Sequence, residues 1–94
     1  MATLEIEKHF LNRMIFGKYK ILKILGKGSY STVFAAEKLI DRKLVAVKIQ
    51  KKTGFYGHCL KNEAYFLYKL KEIIGIPKIY SYGISGKYYI LMQE

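Results

Sequence analysis

Three parts of the sequence have residue types and spacings that could do chemistry: a glycine-rich stretch, a lysine in an apolar strand, and a glutamate on a helix. The stretch is LGKGSYSTV, from Leu25 to Val33, with glycines at positions 26 and 28. Glycine loses more backbone freedom on folding than any other residue, so this density needs a reason. The stretch is either an ordinary hairpin turn or a loop whose backbone must come close to a ligand.

Glycine-rich loops hold phosphates in several settings, and the flanking pattern separates them. A P-loop requires G-x-x-x-x-G-K-[ST], which no register of this stretch supplies. A dinucleotide-binding turn requires a helix after the glycines, whereas here a strand pattern follows. The remaining setting is a flap between two antiparallel strands that covers the phosphates of ATP.

The lysine lies in the segment VAVK, within a run of residues typical of a strand. In a strand, Leu44, Ala46 and Lys48 face one way, and the intervening valines and Ile49 face the other. The lysine is therefore either at a sheet edge in water or in a cleft beside a flat apolar ligand. The small side chain of Ala46 would leave room for such a ligand.

The glutamate belongs to a segment with helical periodicity, in which Glu63, Leu67, Leu70 and Ile74 share one face. A carboxylate on an inward face must be paired or neutralised. The nearest inward cation is Lys48, fifteen residues earlier. The pattern predicts an ion pair between the third strand and the helix, and the alternative is a solvated glutamate at the helix edge.

The elements that must position these residues alternate between strand and helix patterns in the order β-β-β-α-β-β. Strands are predicted over residues 19–25, 32–39, 44–50, 78–83 and 87–93, and a helix over Cys59 to Ile74. Gly75 and Pro77 supply the signal that ends the helix. This order predicts an α+β fold, a five-stranded and mainly antiparallel sheet with one helix on a face.

Residues 1–17 precede this pattern and are interpreted as an N-terminal extension, with the domain over residues 18–94. Thr3 can cap a short helix in which Ile6, Phe10 and Met14 repeat at helical spacing. The extension either packs on the domain or stays loose. It is not a secretory signal, because acidic and basic residues interrupt its apolar positions.

Composition limits the class of protein. The 94 residues suffice for one small domain, and 51% hydrophobic residues exclude a disordered polar chain. The single cysteine, Cys59, permits no internal disulfide and fits an intracellular setting, cytoplasmic or nuclear. No apolar run is long enough for a membrane helix, so no membrane partner is expected. His9 and His58 are isolated, so no metal site is expected.

The net charge of +10 leaves a basic RNA-binding domain as an alternative, since tyrosines at positions 80, 82, 88 and 89 could stack on bases. The lysines are scattered rather than clustered, which favours a generally basic surface. Nucleic acid is therefore not the expected partner.

The order of the motifs resembles the N-terminal lobe of eukaryotic protein kinases. LGKGSYSTV, VAVK, the helix glutamate and YYILMQE follow one another over about residues 18–94. The segment NEAYFLYKL followed by GIP is most similar to the casein kinase 1 group. The resemblance implies a serine/threonine protein kinase that transfers the γ-phosphoryl group of ATP to protein substrates.

The resemblance also implies roles for individual residues. Leu25, Val33 and Ala46 would contact adenine, Lys48 would bind the α- and β-phosphates, and Glu63 would hold Lys48. The flap would comprise Gly26, Lys27, Gly28, Ser29, Tyr30, Ser31 and Thr32. Gln93 would gate the back of the pocket and Glu94 would open the hinge; a shift of one residue would make Met92 the gate.

Two departures accompany the resemblance. Ser31 replaces the third glycine of G-x-G-x-x-G. The catalytic-loop and D-F-G motifs, which supply the base and the Mg²⁺ ligands, do not occur. They are expected in a C-terminal lobe, and the end of the chain directly after a strand suggests a fragment. The chain alone is expected to be inactive, and a pseudokinase that only binds nucleotide is a second alternative.

Overall fold

The computed structural model describes residues 2–28, 31–52, 59–70, 72 and 79–93. The helices are α1 (Ala2–Phe10) and α2 (Cys59–Lys69). The strands are β1 (Met14–Ile15), β2 (Tyr19–Lys27), β3 (Ser31–Lys38), β4 (Leu44–Lys51), β5 (Ile79–Ser85) and β6 (Tyr88–Gln93). Neighbouring strands all pair antiparallel in the order β1-β2-β3-β4-β6-β5.

This is the predicted α+β layer arrangement, with one correction to its count of elements. The described residues form six strands and two helices rather than five strands and one helix. The additional strand is β1, and the additional helix, α1, is the short helix that the sequence allows in residues 1–17, although it ends at Phe10 and Met14 lies in β1 instead. The predicted end of the second helix at Ile74, Gly75 and Pro77 lies outside the described residues.

The sheet curls until its two edge strands approach each other. Phe16 follows β1 at one edge, and its ring lies against Gly83 of β5 at the other edge. A Cβ added to Gly83 would be 3.0 Å from that ring. The backbone turns between β1 and β2 through left-handed conformations at Phe16 and Gly17, with φ of 51° and 65°. The glycine at position 83 thus permits the contact that closes the sheet.

The larger core lies on the side of the sheet that α1 covers, called here the α1 side. Ile6 and Phe10 of α1 are buried there against residues from five of the six strands. Glu5 of α1 also makes ion pairs with Lys51 at 3.0 Å and Lys87 at 3.5 Å. The hydrogen bond from Lys51 lowers the pKa of the Glu5 carboxyl. The sequence left open whether the N-terminal extension packs on the domain or stays loose, and the structure shows that it packs on the sheet.

A smaller core lies on the opposite side, called here the α2 side. Leu60 and Ala64 of α2 are buried against Tyr89 and Leu91 of β6. Leu67 packs at the margin of this cluster. The prediction that Leu70 shares the inward face is wrong, because Leu70 is 38% exposed. In the described residues no helix is both long and apolar enough to cross a membrane.

Candidate functional site

Side chains on the α2 side form three rows across the central strands. Residues directly paired in an antiparallel sheet project from the same face. The rows are Ser31–Gln50–Tyr89, Val33–Lys48–Leu91 and Ala35–Ala46–Gln93. Strand alternation therefore brings five predicted site residues, at positions 31, 33, 46, 48 and 93, to one surface.

Lys48 in the middle row forms an ion pair with Glu63 of α2. Its Nζ lies 2.6 Å from Glu63 Oε2, and the two side chains are 19% and 27% exposed. A charge-assisted hydrogen bond of this length in a partly buried place holds both groups more firmly than a surface pair. An ammonium carries three donors. The carboxylate contact uses one, so Lys48 retains capacity for anionic oxygens.

The glycine-rich stretch joins β2 to β3 as a hairpin. The N–H of Gly28 donates to the carbonyl of Ser31 at 2.8 Å, which closes the tip. A strand follows the glycines, so they lie in a hairpin between two antiparallel strands, as the sequence pattern predicts. Ser31 is buried at the start of β3. Ser29, Tyr30 and Glu94 lie outside the described residues.

Neither Gly26 nor Gly28 is required by the fold. Both have φ outside the left-handed region. Leaving aside its chain neighbours, a Cβ at Gly26 would meet no atom of the described residues within 4 Å, and the nearest such atom to a Cβ at Gly28 would be the Ser31 carbonyl oxygen at 3.6 Å. The described residues therefore leave open space beside Gly26 and Gly28, as expected if another molecule approaches these glycines closely.

We expect Gly26→Ala to leave the free energy of unfolding unchanged or to raise it by about 0.5–1 kcal/mol, since alanine loses less entropy on folding. Gly86→Ala is the matched control, because Gly86 has equally open surroundings but a φ of +58°. We expect Gly86→Ala to lower the free energy of unfolding by about 1–2 kcal/mol, because alanine is strained in the left-handed conformation. Urea denaturation measures both, and an equal loss in the two variants would mean that Gly26 serves the fold.

Three residues predicted to bind nucleotide lie outside the three rows that contain Lys48. Leu25 lies where the β2–β3 register shifts, and it is 56% exposed. Lys27 Nζ pairs with Glu7 Oε2 of α1 at 2.6 Å. Thr32 pairs with Ile49 and is fully buried on the α1 side. Alternation along the strand turns Thr32 away, and the ion pair engages Lys27, so neither side chain lines the face that carries Lys48.

Strand alternation also separates the two candidates for the gate. Met92 pairs with Val47 and is fully buried in the core on the α1 side. Gln93 pairs with Ala46 on the α2 side. Its Oε1 is buried and has no hydrogen-bond partner among the described residues. The side chain of Gln93 thus occupies the surface beside Ala46, as preferred from the sequence, and its gating role stays a prediction.

One residue of this surface was missed by the sequence reasoning. Gln50 lies in the row next to Lys48, is 1% exposed, and accepts a hydrogen bond at its Oε1 from the N–H of Leu60 at 2.6 Å. The available signal was a polar side chain two residues after Lys48 in an apolar strand, and hence on the same face. Its partner was not visible in the sequence.

Three of the four tyrosines proposed for base stacking have described side chains, and these three pack within the lobe, whereas the side chain of Tyr80 lies outside the described part. Tyr88 and Tyr89 are only 3% and 7% exposed. Tyr82 stacks on Tyr89 with ring centroids 6.2 Å apart, and burial raises the pKa of Tyr82. The buried rings of Tyr88 and Tyr89 cannot stack on RNA bases, so these two tyrosines do not support the nucleic-acid alternative.

Comparison with known proteins bears on the class of this chain. No family model matches it. The chain is 32% identical over 77 residues to Casein kinase I homolog 3 of Schizosaccharomyces pombe, an alignment covering 81% of the chain and 17% of that relative. It also superposes on the crystal structure of a kinase domain with a TM-score of 0.77 and 20% identity, over 88% of the chain and 26% of that structure.

The chain has the fold of an N-terminal lobe of the protein kinase class, and its sequence is similar to that class over 81% of its length. Within that class it resembles casein kinase I. The chain spans about a sixth of the length of its curated relative, or 17%.

Proposed function

We propose that this lobe binds ATP for a serine/threonine protein kinase, which transfers the γ-phosphoryl group to a protein hydroxyl. The observation that carries the proposal is the 2.6 Å pair between Lys48 and Glu63 on the face of the sheet that also bears Ala46 and Gln93. A lysine held by a carboxylate is oriented to meet phosphate oxygens rather than free to rotate.

The other residues of the surface fit parts of the same ligand. Ala46 and Val33 offer a small apolar surface for adenine, and the open space at Gly26 admits close approach of phosphates. The buried Oε1 of Gln93, which lacks a partner among the described residues, suits a polar gate. Lys48 would neutralise the α- and β-phosphates, and Glu63 would fix its position.

The metal and the catalytic base are assigned to a C-terminal lobe. Within the described ranges no three His, Cys, Asp or Glu side chains gather as metal ligands. Mg²⁺ would supply charge neutralisation at the phosphates when bound. The 94-residue chain alone is therefore expected to bind ATP weakly and to lack phosphotransfer activity.

We expect Lys48→Met to weaken ATP binding by about 10- to 100-fold, because it removes charge-assisted hydrogen bonds worth about 1.5–3 kcal/mol. Chemical-shift titration of the 94-residue chain with ATP measures weak dissociation constants directly. Lys51→Met is the matched control, since Lys51 lies on the same strand but faces α1 and pairs with Glu5. That control should stay within about twofold of wild type.

Equal effects of the two lysine substitutions would contradict the proposal, because a general charge effect does not depend on the face of the strand. An affinity for RNA that falls steeply with salt concentration and is unchanged by Lys48→Met would favour the basic RNA-binding alternative. Phosphotransfer is tested in a protein that includes the second lobe. ATP binding there without transfer would identify a nucleotide-binding scaffold.

A further inference from the structure

We propose that Gln50 is a positioning residue for the Lys48–Glu63 pair, acting as a cap supplied to α2 by the neighbouring strand. The proposal rests on the proposed function, because it deepens the account of how the phosphate-binding lysine is held. Gln50 itself would touch no nucleotide. It would act through the helix that carries Glu63.

The cap accepts a hydrogen bond from a backbone N–H that has no acceptor within the helix. The first four N–H groups of a helix have no partner within it. α2 begins at Cys59, so the N–H of Leu60 is one of them, and it donates to Gln50 Oε1 at 2.6 Å in a buried place. The first turn of α2 contains no acidic residue. The acceptor for Leu60 therefore comes from a residue ten positions earlier, in β4.

Two polar contacts join β4 to α2, the Lys48–Glu63 ion pair and the hydrogen bond between Gln50 and Leu60. Lys48 and Gln50 are two residues apart on one face of β4, a separation of about 7 Å. Leu60 and Glu63 are three residues apart in α2, a rise of about 4.5 Å on one side of the helix. An ion pair between two long side chains tolerates small shifts and rotations of α2, and the apolar packing of Leu60 and Ala64 is not directional. A second attachment at the helix start fixes its position along the strand and its rotation.

The geometry also says which atom of Gln50 matters. Its Nε2 is buried and has no hydrogen-bond partner among the described residues, whereas Oε1 caps the helix. Gln50→Met keeps the length of the side chain and removes the acceptor. Gln50→Glu keeps an acceptor and places negative charge at a helix N-terminus, where the helix dipole favours it. The two variants therefore separate the cap from the packing.

The test compares ATP with adenosine, which shares the base and sugar but has no phosphates. Dissociation constants are measured by chemical-shift titration of the 94-residue chain in the wild type and both variants. We expect Gln50→Met to weaken ATP binding about tenfold and adenosine binding less than about twofold, in the range of one buried hydrogen bond left unmade. Gln50→Glu should bring ATP binding back to within about threefold of wild type. Equal weakening of ATP and adenosine, or no rescue by Gln50→Glu, would overturn the proposal.

A second measurement does not depend on any ligand. A double-mutant cycle of Lys48→Met and Glu63→Gln, read by urea denaturation, gives the coupling between the two side chains. We expect that coupling to fall by about half or more in the Q50M background, and unchanged coupling would refute the positioning role. If the wild-type chain binds neither ATP nor adenosine, the proposed function fails, and the cycle alone decides the role of Gln50.

Discussion

Phe10→Ala is expected to lower the free energy of unfolding by about 3–5 kcal/mol, the usual loss for truncating a fully packed aromatic residue. Phe10 is 3% exposed in the last turn of α1, and its ring meets Tyr88 edge-on at a centroid distance of 4.9 Å. The surrounding core also contains Ile6 of the same helix. Alanine would leave a cavity where α1 meets the sheet.

The effect is large relative to the stability of a domain of this size. The total free energy of unfolding of a small domain is about 5–15 kcal/mol. Each kcal/mol lost from it lowers Tm by about 4–8 °C. Thermal unfolding followed by circular dichroism should therefore show a fall of roughly 12–40 °C. Lys8→Ala, at an exposed position of the same helix, is the control and should change stability by less than about 0.5 kcal/mol. A loss below about 1 kcal/mol for Phe10→Ala would mean that α1 does not pack on the sheet in solution.

Leu60→Ala is expected to lower the free energy of unfolding by about 2–5 kcal/mol. The destabilisation should affect the docking of α2 more than the rest of the lobe. Leu60 is fully buried at the start of this helix, against Tyr89 and Leu91. The cluster on the α2 side is much smaller than the one on the α1 side, so removing one leucine removes a large share of what holds α2. Alanine is a better helix former than leucine, so the loss reflects docking rather than helix propensity.

Hydrogen exchange distinguishes local from global loss. Amides of α2 should lose protection in Leu60→Ala while those of the central strands β3 and β4 keep most of theirs, since weakly attached elements open below the global free energy. Under the proposed function, ATP binding should fall as well, because an undocked α2 no longer presents Glu63 to Lys48. Leu70→Ala is the control, as Leu70 is 38% exposed just beyond the helix. Uniform loss of protection across the sheet would show that α2 and the sheet unfold as one unit.

The strands and their faces were predictable because they depend on short-range patterns. The five predicted strands lie within two residues of the observed bounds at each end. Period-two alternation assigned Ala46 and Lys48 to one face, and the structure has them in adjacent rows on the α2 side. The inward glutamate was identifiable because an apolar helical face leaves a carboxylate in need of a partner, and Lys48 is that partner.

The contacts that complete the lobe were decided by the tertiary structure. Closure of the sheet at Phe16 and Gly83, the pair between Glu5 and Lys87, and the cap from Gln50 join residues whose separation in the chain follows no period. Glu5 and Lys87 are 82 positions apart. Local periodicity reports which way a side chain points, but not what lies opposite once the sheet has curled. The sequence by itself therefore determined the strands, the glycine hairpin and the lysine–glutamate pair, while the curl of the sheet decided how α1 and α2 are anchored around them.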